Sequence, residues 1–318
     1  MKIVITGSIA YDYLMSFPGH FTDMIVADQL ENLSLSFLVD SMKRQRGGIA
    51  PNIAYTIALL GGHPTIMATA GRDFARYRKW LDDQGVDTSA ILEIEDDFTA
   101  SFFVNTDLDQ NQIASFYTGA MAHAGKLSFA EYAADAELAI ISPNDPGAMR
   151  AYVRECKDLN IPYIYDPSQQ TVRLSGNELF EGLDGCHMLT VNAYEFHLIQ
   201  ERTGLTSTGV RERIGGLLVT QGADGAELWM EGQSWHIPSV PPREIVEPTG
   251  AGDAFRAGMI RGMELGLPWD IAGRMGALAA TYVLENVGTQ SHHYTKAEFS
   301  ERFRKHFDDR GELDKLIL

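Results

Sequence analysis

The chain has 318 residues, 45% apolar and 22% charged, which is ordinary for a globular protein and enough for one large α/β domain with an appendage or for two small domains. Its 26 Lys and Arg stand against 43 Asp and Glu, a formal charge of −17 that argues against a general nucleic-acid binder and against docking on an anionic membrane. Cys156 and Cys186 form no C-x-x-C pair and no run approaches the roughly 18 apolar residues that span a bilayer, so a disulfide frame, a zinc knuckle and a membrane span are not expected and a cytoplasmic location is.

KIVITG (2–7) reads as a buried strand, and GSIAYD (7–12) carries it to a carboxylate, Asp12, which a strand-end loop can present. LSLSFLVD (33–40) alternates at period two, as a strand does. In GGIAPNIAYTIALLGG (47–62), Gly47 and Gly48 permit close backbone approach, and Pro51 suits a first helical turn. Asn52 offers a donor and an acceptor from that helix start, and glycines end it. Asp12 and Asn52 can bind adjacent hydroxyls of a sugar, although each taken singly is a turn or cap residue.

Short apolar runs then alternate with helix-period segments. The strands are TIMATA (65–70), ELAIIS (137–142), PYIYD (162–166), HMLTV (187–191) and GLLVT (216–220). The helices are 51–60, 74–84, 146–159, 193–202, 251–265 and 268–285. Apolar strands alternating with helices predict a parallel sheet covered on both faces, with ligands at the carboxyl ends of its strands. Asp12, Asp166, Asn192 and Thr220 fall at or near such ends. TASFFVNTDLDQNQIASFYTG (99–119) breaks this rhythm and reads as two strands joined by a polar turn. With 33–40 it makes a small antiparallel sheet, suited to a lid over a pocket.

Three turns carry the chemistry. NAYE (192–195) has the spacing of a capping box, Asn192 with Glu195. TQGADG (220–225) closes a strand with a turn that serves equally as a hairpin or as a phosphate cradle. EPTGAGDAFRAG (247–258) joins the small residues Thr249, Gly250, Ala251 and Gly252 to Asp253 at the start of a helix. The unpaired N–H groups and dipole of a helix start attract an anion, and a carboxylate there suits a base for a hydroxyl that attacks a phosphoryl group. A plain N-terminal cap by Asp253 is the level alternative. No Walker loop, no G-x-G-x-x-G after the first strand, no H-E-x-x-H and no G-x-S-x-G occurs.

These signals stand together and in order: Asp12, then Gly47, Gly48 and Asn52, then NAYE, TQGADG and TGAGD. In that arrangement the chain resembles the ribokinase-like (PfkB) carbohydrate and nucleoside kinases over nearly all its length. The wording GSIAYDYLMSF, LSFLV, GGIAPNIAY, TDLDQNQI and GDAFRAG is most similar to bacterial and archaeal adenosine and nucleoside kinases. The resemblance implies one α/β kinase domain over 1–318, with a parallel central sheet, helices on both faces and an antiparallel β lid inserted at about 13–45 and 97–120. It implies transfer of phosphoryl from ATP to the 5′-hydroxyl of a nucleoside, foremost adenosine to AMP. Asp253 is then the base, and the N–H groups from Gly250 through Ala251 and Gly252 stabilise the transferred group. Asp12, Gly47, Gly48 and Asn52 orient the sugar. The resemblance places the hairpin with Phe116 over the acceptor, where Gln29 and Asn111 of the lid segments can hydrogen-bond a purine edge; exposed polar loop residues, and packing for Phe116, are the plain alternatives.

The same resemblance places Asn192, Thr220, Gly222, Gly225, Thr249 and Asn286 at ATP, and has Glu195 organise water around Mg²⁺. It also implies a monovalent cation such as K⁺ beside the 247–253 loop, where Glu247 and Pro248 depart from the family's wording. A lid of this kind serves a monomer or a lid-mediated homodimer. A ribose or fructose kinase shares all these catalytic parts, and a non-catalytic sensing module shares the pocket.

Overall fold

The computed structural model describes residues 1–25 and 34–318. Two sheets organise it. The larger has nine strands in the order β13-β12-β11-β10-β9-β8-β1-β4-β5: β1 (Ile3–Thr6), β4 (Thr65–Gly71), β5 (Ile91–Ile94), β8 (Leu138–Ile141), β9 (Tyr163–Tyr165), β10 (Met188–Asn192), β11 (Gly216–Thr220), β12 (Ala226–Met230) and β13 (Gln233–Ile237). From β5 through β11 every neighbour is parallel, and β12 and β13 continue the edge antiparallel. The smaller sheet runs β3-β2-β6-β7, from β2 (Ala10–Ser16), β3 (Ser41–Gly47), β6 (Ala100–Thr106) and β7 (Gln112–Tyr117).

The continuous apolar runs follow from burial on both faces of the large sheet. Ile3 and Ile5 of β1 join one core with Ile53, Ile57 and Ile260, whereas Val4 between them joins a second core with Met149 and Tyr152. The first core is built on helices Ile49–Leu59 and Ala251–Glu264, the second on Pro146–Asp158 and Gly176–Leu183. Helix Ala251–Glu264 lies against Trp269–Leu284 so closely that a Cβ on Gly258 would sit 2.6 Å from the Met275 carbonyl oxygen. That contact fixes the helix whose first turn carries Asp253. Among the described residues, no helix is long and apolar enough to cross a membrane. Both cysteines are buried and free.

The expected α/β architecture with an inserted small sheet is present. Two local readings are corrected. Of the strand expected at 33–40, Leu33 lies outside the described residues, and 34–39 belongs to neither sheet; the strand is β3, which follows it. Burial does alternate over 34–40, with Phe37 packed on Phe17 and Phe21, but its one backbone bond to a strand is from the Asp40 N–H to the Ser16 carbonyl of β2, where β3 begins. β3 itself reads SMKRQRG and was hidden because it is a lid edge rather than a core strand. Asp12 is likewise not in a loop at the end of the first strand. β1 stops at Thr6, the chain turns at Gly7, and Asp12 stands within β2, paired with Gln45 and Phe102 on either side.

Candidate active site

Asp253 occupies the first turn of helix Ala251–Glu264 and is 8% exposed. Gly250 precedes the helix at φ 83°, a left-handed conformation, and a Cβ there would meet Thr289 at 2.8 Å. The Ala251 N–H donates weakly back to the Pro248 carbonyl, at 3.3 Å. Among the described residues, the N–H groups of Gly252 and Asp253 have no backbone partner, as expected in a first helical turn. Both oxygens of Asp253 are held: Asn52 Nδ2 donates to Oδ2 at 2.8 Å and Arg256 Nη2 to Oδ1 at 2.7 Å. Burial pushes the Asp253 carboxyl up from its ordinary range, while Arg256 and Asn52 pull it down.

Arg256 reaches further. Its Nε lies 3.0 Å from Oδ2 of Asp166, which is fully buried just past β9. The contact is not aligned as a hydrogen bond, so Nε lacks a hydrogen-bond partner among the described residues; Asp166 Oδ2 accepts from Ser142 Oγ at 3.3 Å, and its Oδ1 has no partner among them. Burial pushes Asp166 up to about 7 against the pull of Arg256. A buried guanidinium thus bridges two buried carboxylates at the ends of separate elements.

A cavity of about 410 Å³ opens over Asp253, and Asp12, Gly48, Asn52, Thr249, Gly250 and Gly252 share its wall. Asp12 faces it with a carboxylate that burial, and then Glu247, push up to about 6. The glycine pair leaves room for the chain itself: a Cβ on Gly47 would lie 2.4 Å from Asp12 Oδ2, and one on Gly48, at φ 96°, 2.5 Å from the Ser8 carbonyl oxygen. From the lid, Phe102 and Phe116, cross-strand neighbours on β6 and β7, line the same cavity. Asn192, Glu195 and Thr220 close its far end. Asn192 and Glu195 do form a reciprocal capping box, with both bonds at 2.8 Å, and only Oε2 of Glu195 is spent in it.

A second cavity of about 590 Å³ adjoins the first at Thr220 and Gly252. Its wall is apolar, with Val240, Pro242, Ile245, Phe255 and Leu284, and Gly222, Gly225 and Ala251 also line it. Polar and apolar chambers therefore meet at the start of the Asp253 helix.

Not every expected residue joins these chambers. Gln29 lies outside the described residues. Asn111 sits at the exposed lid tip, where its N–H and Nδ2 both donate to Asp107, and it lines neither cavity. Asn286 donates to the Tyr282 carbonyl at the end of its helix and lines neither cavity. Sequence reasoning missed Arg256 as a partner of Asp253, although the spacing i, i+3 on one helix was a usable signal. It missed Gln290, whose Nε2 donates to Asn52 Oδ1 at 2.7 Å, and no local pattern marked it.

Comparison with known proteins agrees with this geometry. The pfkB family of carbohydrate kinases matches residues 13–296. A nucleoside kinase of Methanocaldococcus jannaschii is 27% identical over 307 residues, covering 96% of this chain and 97% of its own. The structure of Burkholderia thailandensis nucleoside kinase in complex with inosine superposes with a TM-score of 0.86 at 35% identity, covering 96% of this chain and 97% of that one. The complex of the same protein with ADP-inosine gives 0.83 at 35% identity, covering 96% of each chain.

Proposed function

The chain belongs to the pfkB family of carbohydrate kinases, phosphotransferases with an alcohol acceptor, and on that premise we propose that it phosphorylates the 5′-hydroxyl of a purine nucleoside, adenosine foremost, with ATP as donor. One observation carries the choice of acceptor: the aromatic pair Phe102 and Phe116 lines the same cavity as Asp12, Asn52 and Asp253. A sugar held by Asp12 and Asn52 leaves its base beneath those rings, and a purine face matches them as a free sugar cannot. The relative whose structure is a complex with inosine supports a purine nucleoside as acceptor.

In this reading ATP places its base in the apolar chamber and its phosphates across Gly252. Asp253 keeps lone pairs free beside its bonds to Asn52 and Arg256, and takes the hydroxyl proton as the phosphoryl group transfers. The free N–H groups of Gly252 and Asp253 stabilise charge on that group, and Arg256 keeps Asp253 ionised and aimed. Mg²⁺ arriving with ATP supplies charge neutralisation on the phosphates, and Glu195, with Oε1 left over from its capping box, would hold its water. Glu247 spends a carboxylate oxygen on the Gly288 N–H at 2.8 Å, so no step is assigned to K⁺. The chain acts as one catalytic unit with its lid. The fully exposed β7 supports a lid-mediated homodimer as the alternative to a monomer.

An ADP-release screen over nucleosides and free sugars tests the proposal. Adenosine should exceed ribose and fructose by at least ~100-fold in kcat/KM, about 2.7 kcal/mol, with inosine and guanosine accepted to lesser degrees. A pentose or hexose that outperformed every nucleoside would make the protein a sugar kinase of the same family. A protein that bound nucleosides without turnover would be a sensing module.

A further inference from the structure

Behind the lid sheet lies a third cavity of about 330 Å³ that the proposed reaction does not use. Successive residues of a strand face opposite ways, so Asp12 lines the polar catalytic cavity while Tyr11 lines this one. Arg44 and Arg46 of β3 and Arg76 of helix Ala75–Asp83 converge on it.

In a chain with a net charge of −17, arginines are expected to find carboxylates. Among the described residues, ten arginines form ion pairs and eight do not, and three of those eight, Arg44, Arg46 and Arg76, meet at this one cavity. Asp73 is near enough to be felt by Arg44, but its Oδ1 accepts from the Thr99 N–H. Two of the guanidinium groups are instead stacked on rings, Arg44 at 4.6 Å from the Tyr11 centroid and Arg46 at 3.9 Å from that of Trp80. Stacking fixes the plane of a guanidinium; Arg44 also bonds the Tyr13 side chain, and its remaining in-plane N–H groups, with those of Arg46, are left for a ligand. Arg46 Nε is buried and has no hydrogen-bond partner among the described residues.

The wall of this cavity also reaches the catalytic base. Tyr77 and Gln290 line it and hydrogen-bond to each other; Gln290 Nε2 donates to Asn52 Oδ1 at 2.7 Å, and Asn52 Nδ2 to Asp253 Oδ2 at 2.8 Å. All four side chains are buried.

The geometry points to a second ligand site, in which Arg44, Arg46 and Arg76 bind a phosphate dianion and its occupancy is felt at Asp253 through Tyr77, Gln290 and Asn52. Guanidinium forks match phosphate oxygens in pairs, and a free phosphate or the end of a small phosphomonoester presents the same group. The coupling rests on Asp253 acting as proposed, and the binding does not.

Calorimetry with orthophosphate and with glycerol 3-phosphate, on protein saturated with ADP to fill the nucleotide chamber, tests the binding. The variants are R76Q and R44Q/R76Q, both at exposed positions that leave the fold intact. Wild type should show one saturable site, weakened at least ~10-fold in the double variant. Tighter binding of glycerol 3-phosphate identifies a phosphomonoester, and tighter binding of orthophosphate identifies the free ion. In wild type, phosphate should change kcat/KM for the acceptor by about 5-fold or more, and in the double variant it should not. Equal binding in wild type and double variant, or no binding to wild type up to about 10 mM, overturns the site. Binding lost in the variant with no rate response in wild type overturns the coupling.

Discussion

Replacing Arg256 by Met removes a positive charge from between two buried carboxylates while keeping most of the side-chain volume. The guanidinium lies 2.7 Å from Asp253 and 3.0 Å from Asp166, and is 9% exposed as a residue. With charge centres about 4 Å apart and an effective dielectric near 20, each attraction is about 4 kcal/mol. Relaxation and entering water reduce this attraction without reversing its sign. The direction is fixed: Arg256 pulls the Asp253 carboxyl down, so its loss lets burial push that carboxyl higher. A protonated base cannot take a proton. The acid limb of the kcat/KM profile should therefore move to higher pH. Activity at neutral pH should fall at least ~10-fold and recover in part as the pH is raised. The assay is ADP release against adenosine from about pH 5.5 to 9.5, with melting curves at each pH. Removing one partner of a buried pair costs about 3–5 kcal/mol, and the loss should be smaller at acid pH, where both carboxylates are protonated. Turnover reduced by the same factor at every pH would refute the reasoning and leave Arg256 a packing residue.

Asp253→Asn should lower turnover by roughly two to four orders of magnitude. It is less innocent than its shape suggests, because both oxygens accept hydrogen bonds; a stability loss of about 1.5–3 kcal/mol in denaturant melts should accompany it, and near-normal turnover would remove Asp253 from the chemistry. Asp12, with a carboxyl pushed up to about 6, should clamp hydroxyls best when ionised, so KM for the acceptor should rise below about pH 6 while KM for ATP holds. Parallel changes in both constants would make Asp12 structural. Gly47→Ala places a methyl 2.4 Å from Asp12 Oδ2 and should raise the acceptor KM at least ~10-fold with the nucleotide Kd unchanged; an unaltered acceptor KM would show that Asp12 does not hold it.

The sequence by itself determined the central strands of the large sheet and the principal helices, and not its edge strands β5, β12 and β13. β1, β4, β8, β10 and β11 are buried on both faces, so each is a continuous apolar run whatever surrounds it. It determined the Asp253 turn as well, because a left-handed Gly250 packed on Thr289 admits few other residues. Only the tertiary structure decided how the lid is stitched. β3 is a polar edge without the apolar alternation that marks a strand, and pairing with β2 makes it one. Only the tertiary structure gave Asp253 its partners: Asn52 comes from 201 residues away, and Asp166 reaches the same centre through Arg256. Hydrophobic periodicity records which face of an element is buried, but it carries no record of which polar groups meet in the interior. Those meetings depend on strand order and on glycines that let two backbones touch, and both exist only once the chain has closed.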